Sequence, residues 1–492
     1  LSVHWPIIKA CLRRPLGVAC VDETGSYKRL QMLVAAMNLA EDLDRVSTTR
    51  TVGVMLPSSA AFPIAALAGW ISGRTVVPLN FLLKPEELQY VIDDCKPDTV
   101  ITATAMLDYL GYRPQRVRLM EMNKLTLKRV PDWRLPATAA DEDLAVLLYT
   151  SGTSGKPKGV MLSHGNLSAN IEQCRVHVGF DSREVLFGVL PQFHSFGLTV
   201  LTLLPLTIGC KVVYAPRFVP QRIVRLFREH RPTAMIAIPS MYNALLHVKD
   251  AEAADFASLK YAVSGGEPLP GAVTDGFFER FGVRIAEGYG LTETTPVTNW
   301  CRPHEYQRGS VGPALPGVVE KIVDLESGRE LGVNADGEVR IKGPNLMQGY
   351  FNQPELSKAA LDEQGFLRTG DIGRIDDRGH LHITGRLKDM LIIGGENVFP
   401  REIEEVLNAH PDVKDSGVVG RSDPMRGEVP LAFIELKEGV NFNRQSVLDH
   451  CRGRLAGYKV PSELVVMPEL PRGPTGKVLR RALRTQAAPT IT

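Results

Sequence analysis

The sequence predicts an α/β protein, with a large N-terminal α/β domain that carries a β-rich subdomain and a small C-terminal α+β domain. Three observations carry this expectation. Short β-rich runs alternate with amphipathic helical segments through most of the chain, the pattern of layered α/β architecture. From Gly337 onward the texture changes to short strands and Gly/Asp turns, such as Asp376-Asp377-Arg378-Gly379. After Gly385 about 105 residues remain, enough for a separate small domain.

Taken in order, residues 144–149 read as a strand and 167–174 as a helix. Strands are expected at 233–238, 261–264 and 283–287, with a helix at 272–281 between the last two. The uncharged run 185–210 has the length of a membrane span, but Pro191, Gln192, His194 and Pro205 interrupt it. A buried strand and helix are expected there instead. In the C-terminal part the sequence predicts helices at 401–410 and 444–455 and strands near 413–419 and 431–436, with a joint near 386–389. The boundary is drawn between residues 1–386 and 387–492.

Composition narrows the function. The chain has 492 residues, 44% hydrophobic and 23% charged, which excludes a disordered or collagen-like chain. Lys plus Arg (57) nearly balances Asp plus Glu (55), so the electrostatic footprint of a nucleic-acid binder is missing and small-molecule partners are expected. The seven cysteines are scattered without a C-x-x-C pair, which points to reduced thiols rather than zinc or a disulfide framework. Residues 1–14 mix Pro6 with Lys9, Arg13 and Arg14 and show no secretory pattern, so a cytoplasmic location is expected.

The strongest chemical signal is the run Thr150, Ser151, Gly152, Thr153, Ser154, Gly155, Lys156, Pro157, Lys158, Gly159, directly after a predicted strand. Glycines let successive backbone N–H groups turn toward an anion, hydroxyls add donors, and lysine adds a point charge. The spacing is not that of a P-loop, and Gly152-Thr153-Ser154-Gly155 is not the G-x-S-x-G of a serine hydrolase. A polar hairpin loop is the plain alternative.

From this motif onward the sequence resembles the adenylate-forming superfamily, specifically the AMP-forming acyl-CoA synthetases, and the resemblance spans nearly the whole chain. Glu287-Gly288-Tyr289-Gly290-Leu291-Thr292-Glu293 is similar to the family's adenine and magnesium motif. The resemblance implies Tyr289 against the base, with Gly290 and Thr292 at the nucleotide, and Glu293 as a Mg²⁺ ligand alongside Thr150. Gly265, Gly266 and Glu267, after Ser264, resemble the loop lining the adenine pocket. Asp371, in Arg368-Thr369-Gly370-Asp371, matches the aspartate that accepts from both ribose hydroxyls. Arg386 is implied to contact the nucleotide and Lys388 to be the pivot of a mobile C-terminal domain.

The same resemblance implies that Gly394 and Gly395 lie beside the pantetheine arm in a second conformation, and that Tyr458 and Lys459 face the CoA nucleotide. Lys477, in Pro471-Arg472-Gly473-Pro474-Thr475-Gly476-Lys477, matches the lysine that reaches the acyl carboxylate and the α-phosphate. His194 is similar to the histidine at the mouth of the acyl pocket. The implied reaction uses ATP, Mg²⁺ and CoA to ligate a medium- or long-chain fatty acid through acyl-AMP. Amino-acid-activating relatives carry an aspartate where this chain has His194, and acetate-using relatives carry Trp where it has Gly290, which implies an open pocket floor. Transfer to acyl carrier protein, an aryl-acid substrate and a nucleotide-binding protein without ligase activity are the alternatives. Peripheral membrane contact and a homodimer are left open.

Overall fold

The computed structural model describes residues 2–132, 134–150, 156–423, 425–472 and 478–487. These form four sheets. The first has eight strands in the spatial order Val297–Trp300, Ile285–Gly290, Tyr261–Ser264, Ala234–Ala237, Val185–Gly188, Lys211–Tyr214, Val18–Asp22 and Gly25–Lys28. Its inner pairs are parallel and its two outermost pairs antiparallel. The second has seven strands, Gly349–Tyr350, Lys158–Ser163, Leu144–Thr150, Thr75–Pro78, Thr51–Val54, Thr99–Thr102 and Arg118–Glu121. Helix Ala61–Ile71 is apolar along its length and buried on nearly every face, as expected for an element inside a core rather than on a surface. It presses close to the second sheet because Gly69 has no side chain: a Cβ there would lie 2.8 Å from the Val76 side chain. The Trp70 indole N–H donates to the Ala145 carbonyl at 2.9 Å, so the helix gains one directional contact within an apolar interface.

The eight-stranded sheet packs a second core on its other face, where Phe187, Phe227, Phe256, Phe277 and Phe281 form a run of ring contacts at 4.6–5.6 Å. The β-rich subdomain is a five-stranded antiparallel sheet in the order Gly312–Pro313, His380–Arg386, Leu367–Ile375, Gly337–Lys342, Val319–Val323. It therefore starts before Gly337. The two strands missed by the sequence reading are one of two residues and one whose buried side carries a glutamate. Beyond it, strands Glu396–Val398, Leu391–Ile393, Gly427–Leu436, Val413–Asp423 and Glu463–Met467 form the fourth sheet, with helices Pro400–Asn408, Arg444–Arg452 and Arg480–Ala487.

The run 185–210 folds into the central strand Val185–Gly188 and then Ser195–Leu198, a π-helical turn Thr199–Leu203 and Leu204–Ile208. It is buried in the core, and no helix among the described residues is long and apolar enough to cross a membrane. All seven cysteines are buried and unpaired with one another. Burial holds the thiols of Cys11 and Cys301 up at about 11.

The β-rich sheet meets the eight-stranded sheet at a polar contact. Asn299 donates from Nδ2 to Glu320 Oε2 at 3.2 Å and to the Gly312 carbonyl at 3.2 Å, while Glu320 Oε1 has no hydrogen-bond partner. Burial raises the Glu320 carboxyl to about 7, against a weaker lowering by Asn299. The folded protein thus keeps a proton that an unfolded chain loses near the ordinary glutamate value. The stabilising contribution of that proton is complete below the unfolded value and is lost as pH rises to about 7. Glu320→Gln, a neutral isostere, is expected to raise the thermal midpoint at about pH 8 and to leave it nearly unchanged at about pH 5. Scanning calorimetry at the two pH values checks this, and an equal shift at both would contradict it.

Candidate active site

Three of the motifs singled out from the sequence, at Thr150, Ser264 and Gly290, lie at the carboxyl ends of strands, where open α/β sheets bind ligands. Thr150 ends strand Leu144–Thr150 and pairs in register with Lys158 across an antiparallel hairpin. Ser151, Gly152, Thr153, Ser154 and Gly155 lie outside the described residues, as does Lys477. The two flanking lysines face aromatic rings: Lys156 Nζ is 5.5 Å from the centre of Tyr90, and Lys158 Nζ is 5.6 Å from that of Tyr350. Such placement holds an ammonium group without neutralising it.

Tyr350 extends the cluster. Its hydroxyl donates to Glu293 Oε1 at 2.8 Å, and the Met347 N–H donates to the Glu293 carbonyl at 2.8 Å. Glu293 lies in the short turn Thr292–Thr294, and Thr292 Oγ1 is 3.3 Å from Ser195 Oγ, beside His194. The His194 ring lies 5.1 Å from that of Phe193, which meets Phe81 edge-on at 4.9 Å. A cleft of about 240 Å³ opens beyond Phe81, lined by Leu83, Leu88, Tyr109, Leu110 and Tyr112. On the other side of the turn, Gly265 follows strand Tyr261–Ser264, and its missing side chain makes room for Phe196, whose ring a Cβ would meet at 2.8 Å. Gly266 adopts φ +81°, a conformation that favours glycine. Glu267 follows in the same exposed-to-half-buried turn.

A second contact network centres on Asp371, which is buried. Its Oδ2 accepts from the Tyr289 hydroxyl at 2.6 Å and its Oδ1 from Arg386 Nε at 2.9 Å. Burial and the Asp371 charge push the Tyr289 phenol far above its ordinary range, and Asp371 raises Arg386 further. Each carboxylate oxygen retains lone-pair capacity for a further hydrogen bond. Nearby, burial raises the Glu287 carboxyl to about 7, with Arg401 opposing it.

The structure also places residues apart. Arg386 ends strand His380–Arg386, and Lys388 is exposed in the turn Leu387–Asp389. Gly394 and Gly395 form the exposed tip of the hairpin between Leu391–Ile393 and Glu396–Val398, both at positive φ, and Gly394 N–H donates to the Arg426 carbonyl. Lys459 Nζ is 2.7 Å from Glu402 Oε2 and 5.8 Å from the Tyr458 ring. These contacts run within the C-terminal sheet and its helices.

Gly290 corrects an expectation. A Cβ built there would lie 1.8 Å from the Pro296 carbonyl oxygen and 2.7 Å from its carbon. The glycine is required by the close backbone approach of strands Ile285–Gly290 and Val297–Trp300, and it does not open a pocket floor. Tyr350 and Ser195 were missed by sequence reasoning. Their partners lie 57 and 97 residues away; Ser195 sits in the marked run Phe193–Gly197, but nothing local shows that its hydroxyl meets Thr292, and Tyr350 sits in no marked pattern.

The sequence profile of AMP-binding enzymes matches residues 9–351, and that of the AMP-binding enzyme C-terminal domain matches residues 402–477. The chain belongs to the AMP-binding enzyme family and is an adenylate-forming acid–CoA ligase. It is 33% identical over 483 residues to a long-chain-fatty-acid–CoA ligase of Bacillus subtilis (strain 168), covering 88% of this chain and 84% of that one. The fold is similar to that of an anthranilate CoA ligase solved with anthranoyl-AMP, with a TM-score of 0.91 at 27% identity over 99% of this chain and 97% of the other. It is also similar to the O-succinylbenzoate coenzyme A synthetase of Bacillus subtilis solved with ATP and magnesium, with a TM-score of 0.87 at 29% identity over 97% and 99%.

Because the Gly290 Cβ direction points into backbone, Gly290→Trp is expected to slow acyl-AMP formation at least 10-fold with every acid tested, without moving the chain-length preference. Acid-dependent pyrophosphate release over a series of acids checks this; a clean shift toward short acids at undiminished rate would contradict it.

Proposed function

We propose that the chain activates a medium- or long-chain fatty acid with ATP and Mg²⁺ and passes the acyl group to CoA. In the first step a carboxylate oxygen attacks the α-phosphorus, and the bond to pyrophosphate breaks. In the second the CoA thiol, losing its proton, attacks the acyl carbon, and AMP leaves. No side chain acts as nucleophile, so the protein contributes alignment and charge stabilisation. The observation that carries this reading is the unbroken run of contacts from Lys158 through Tyr350, Glu293 and Thr292 to Ser195, which joins the phosphate-binding hairpin to the surroundings of His194.

The donor set fits Mg²⁺ held together with a triphosphate. Glu293 offers a carboxylate and Thr150 a hydroxyl, both hard oxygen ligands. On this reading phosphate oxygens of the bound nucleotide would complete the set. The metal supplies charge neutralisation; Lys156, Lys158 and Lys477 supply positive charge from the protein. Gly265, Gly266, Glu267, Tyr289 and Asp371 hold the nucleoside. On this reading residues 1–386 and 387–492 are the two moving units, with Lys388 as the pivot. One orientation presents Lys477 to the carboxylate and α-phosphate, and the other brings Gly394 and Gly395 to the thiol path and Tyr458 and Lys459 to CoA. Lys459 would exchange Glu402 for a CoA phosphate.

The apolar neighbours of His194, the cleft beyond Phe81 and the similarity to a fatty-acid ligase support an alkyl acid, whose tail gains about 0.8 kcal/mol per buried CH₂. The aromatic rings Phe193, Phe81 and Tyr109 give the aryl-acid reading its own support. Measuring kcat/KM over C2 to C18 acids, benzoates and amino acids with free CoA decides between them. The ratio is expected to rise with chain length and then level off; a maximum at an aryl acid, acetate or an amino acid would overturn the proposal. Lys477→Ala is expected to lose acyl-AMP formation by a factor on the order of 10² while still converting supplied acyl-AMP to thioester. Equal losses in both half-reactions would remove Lys477 from its role.

A further inference from the structure

Helix Arg480–Ala487 follows the segment that carries Lys477, and its arginines grip the residue next to the pivot. Asp389 is buried at the end of the turn Leu387–Asp389. Its Oδ2 accepts from Arg480 Nη1 at 3.2 Å and its Oδ1 from Arg484 Nη2 at 3.3 Å. Arg484 Nη2 also reaches the backbone carbonyl of Lys388 at 3.4 Å. Arg480 Nε donates at 3.1 Å to Glu404 Oε1, which in turn accepts from the Val418 N–H at 2.8 Å. One guanidinium thus bridges the turn, helix Pro400–Asn408 and, through Glu404, the central sheet of the C-terminal domain.

The base of the Lys477 segment is fixed on the same body. Arg472 and Val478 form a β-bridge, the Leu479 N–H donates to the Pro471 carbonyl at 2.7 Å, and Arg472 pairs with Asp415 at 2.7 Å and Glu435 at 3.3 Å. Both flanks of residues 473–477 are therefore tied to the sheet, and the C-terminal flank is tied directly to Asp389.

We propose that Asp389 is a positioning residue: with Arg480 and Arg484 it locks the far side of the pivot to the two flanks of the Lys477 segment, so that a change of direction at Lys388 moves Arg472, Val478 and helix Arg480–Ala487 as part of one rigid body. The proposal rests on the reading of Lys388 and Lys477 given above. A buried carboxylate between two guanidinium groups suits this role, because charge-assisted bonds from a planar fork fix angle as well as distance. Small misplacements of a charge-stabilising group cost large factors in rate.

Arg484 is half-exposed and reaches only the turn, so its removal leaves the Arg480–Glu404 pair intact. Arg484→Gln and Asp389→Asn are each expected to lower the rate of acyl-AMP formation about 10-fold. Both should leave the KM for ATP and the conversion of supplied acyl-AMP to thioester within about twofold of the parent, and Arg484→Lys should restore most of the loss. Equal slowing of both half-reactions, or none, would overturn the proposal, and if Asp389→Asn does not fold, Arg484→Gln carries the test. Lys477→Ala measured in parallel separates the two levels. If it blocks acyl-AMP formation while Arg484→Gln does not, only the positioning role fails; if it leaves acyl-AMP formation intact, the reading of Lys477 fails and the positioning role with it.

Discussion

A single buried carboxylate, Asp371, joins the parts on which nucleotide chemistry would depend. Taking a charge out of water costs several kcal/mol unless it is paired and hydrogen-bonded. Here the partners come from two other places in the chain: the Tyr289 hydroxyl from strand Ile285–Gly290 and the Arg386 guanidinium from strand His380–Arg386. Asp371 and Arg386 are also register partners in the antiparallel ladder, so backbone and side-chain contacts reinforce one another. The eight-stranded sheet and two strands of the β-rich sheet, one of them ending at Arg386, therefore share one charge.

The placement of three motifs at strand ends was legible in the sequence because their residues are local. In Thr150–Lys158, Ser264–Glu267 and Glu287–Glu293, glycines and hydrogen-bonding groups fall within a few residues after a strand, and the structure finds a strand end at each. What was not legible depends on tertiary neighbours. Tyr350 is the outermost residue of a two-residue strand, and nothing in its surroundings announces that its hydroxyl reaches Glu293. The strand that carries Glu320 was overlooked because the glutamate sits on a buried side, where pattern reading expects an apolar residue; Asn299 satisfies only half of it. The catalytic reading of Lys477 rests on resemblance alone, since that residue lies outside the described part of the chain.

Glycines show where motif reading and geometry part. Gly265 and Gly290 both lie in nucleotide motifs, and either could be taken to leave space for a ligand. The direction of the missing Cβ decides otherwise. At Gly265 it points to the Phe196 ring, so the glycine allows a loop and a side chain near His194 to touch. At Gly290 it points to the Pro296 backbone, so the glycine closes a turn. Both missing Cβ positions are thus filled by the protein itself, whereas Phe193 and Phe81 meet edge-on beside an open cleft.

The two parts of the molecule hold their functional groups by different physics. The large N-terminal body buries extensive apolar clusters and sets its site with backbone turns and a few charged contacts, such as Asp371 with Arg386 and Tyr289. The C-terminal sheet has smaller apolar clusters and is laced with ion pairs, among them Arg480 with Glu404 and Asp389, Arg472 with Asp415 and Glu435, and Lys459 with Glu402. Partly exposed pairs of this kind add little stability, so thermodynamic gain alone does not account for their number. They do fix orientation, because forked donors tolerate less sliding than apolar contact does. A body proposed to present two different faces to one site needs internal stiffness without large apolar surfaces that would hold it in a single docked position. Ion pairs directed inward around Asp389 and Glu404 meet both demands, leaving the hairpin tip at Gly394 and Gly395 exposed.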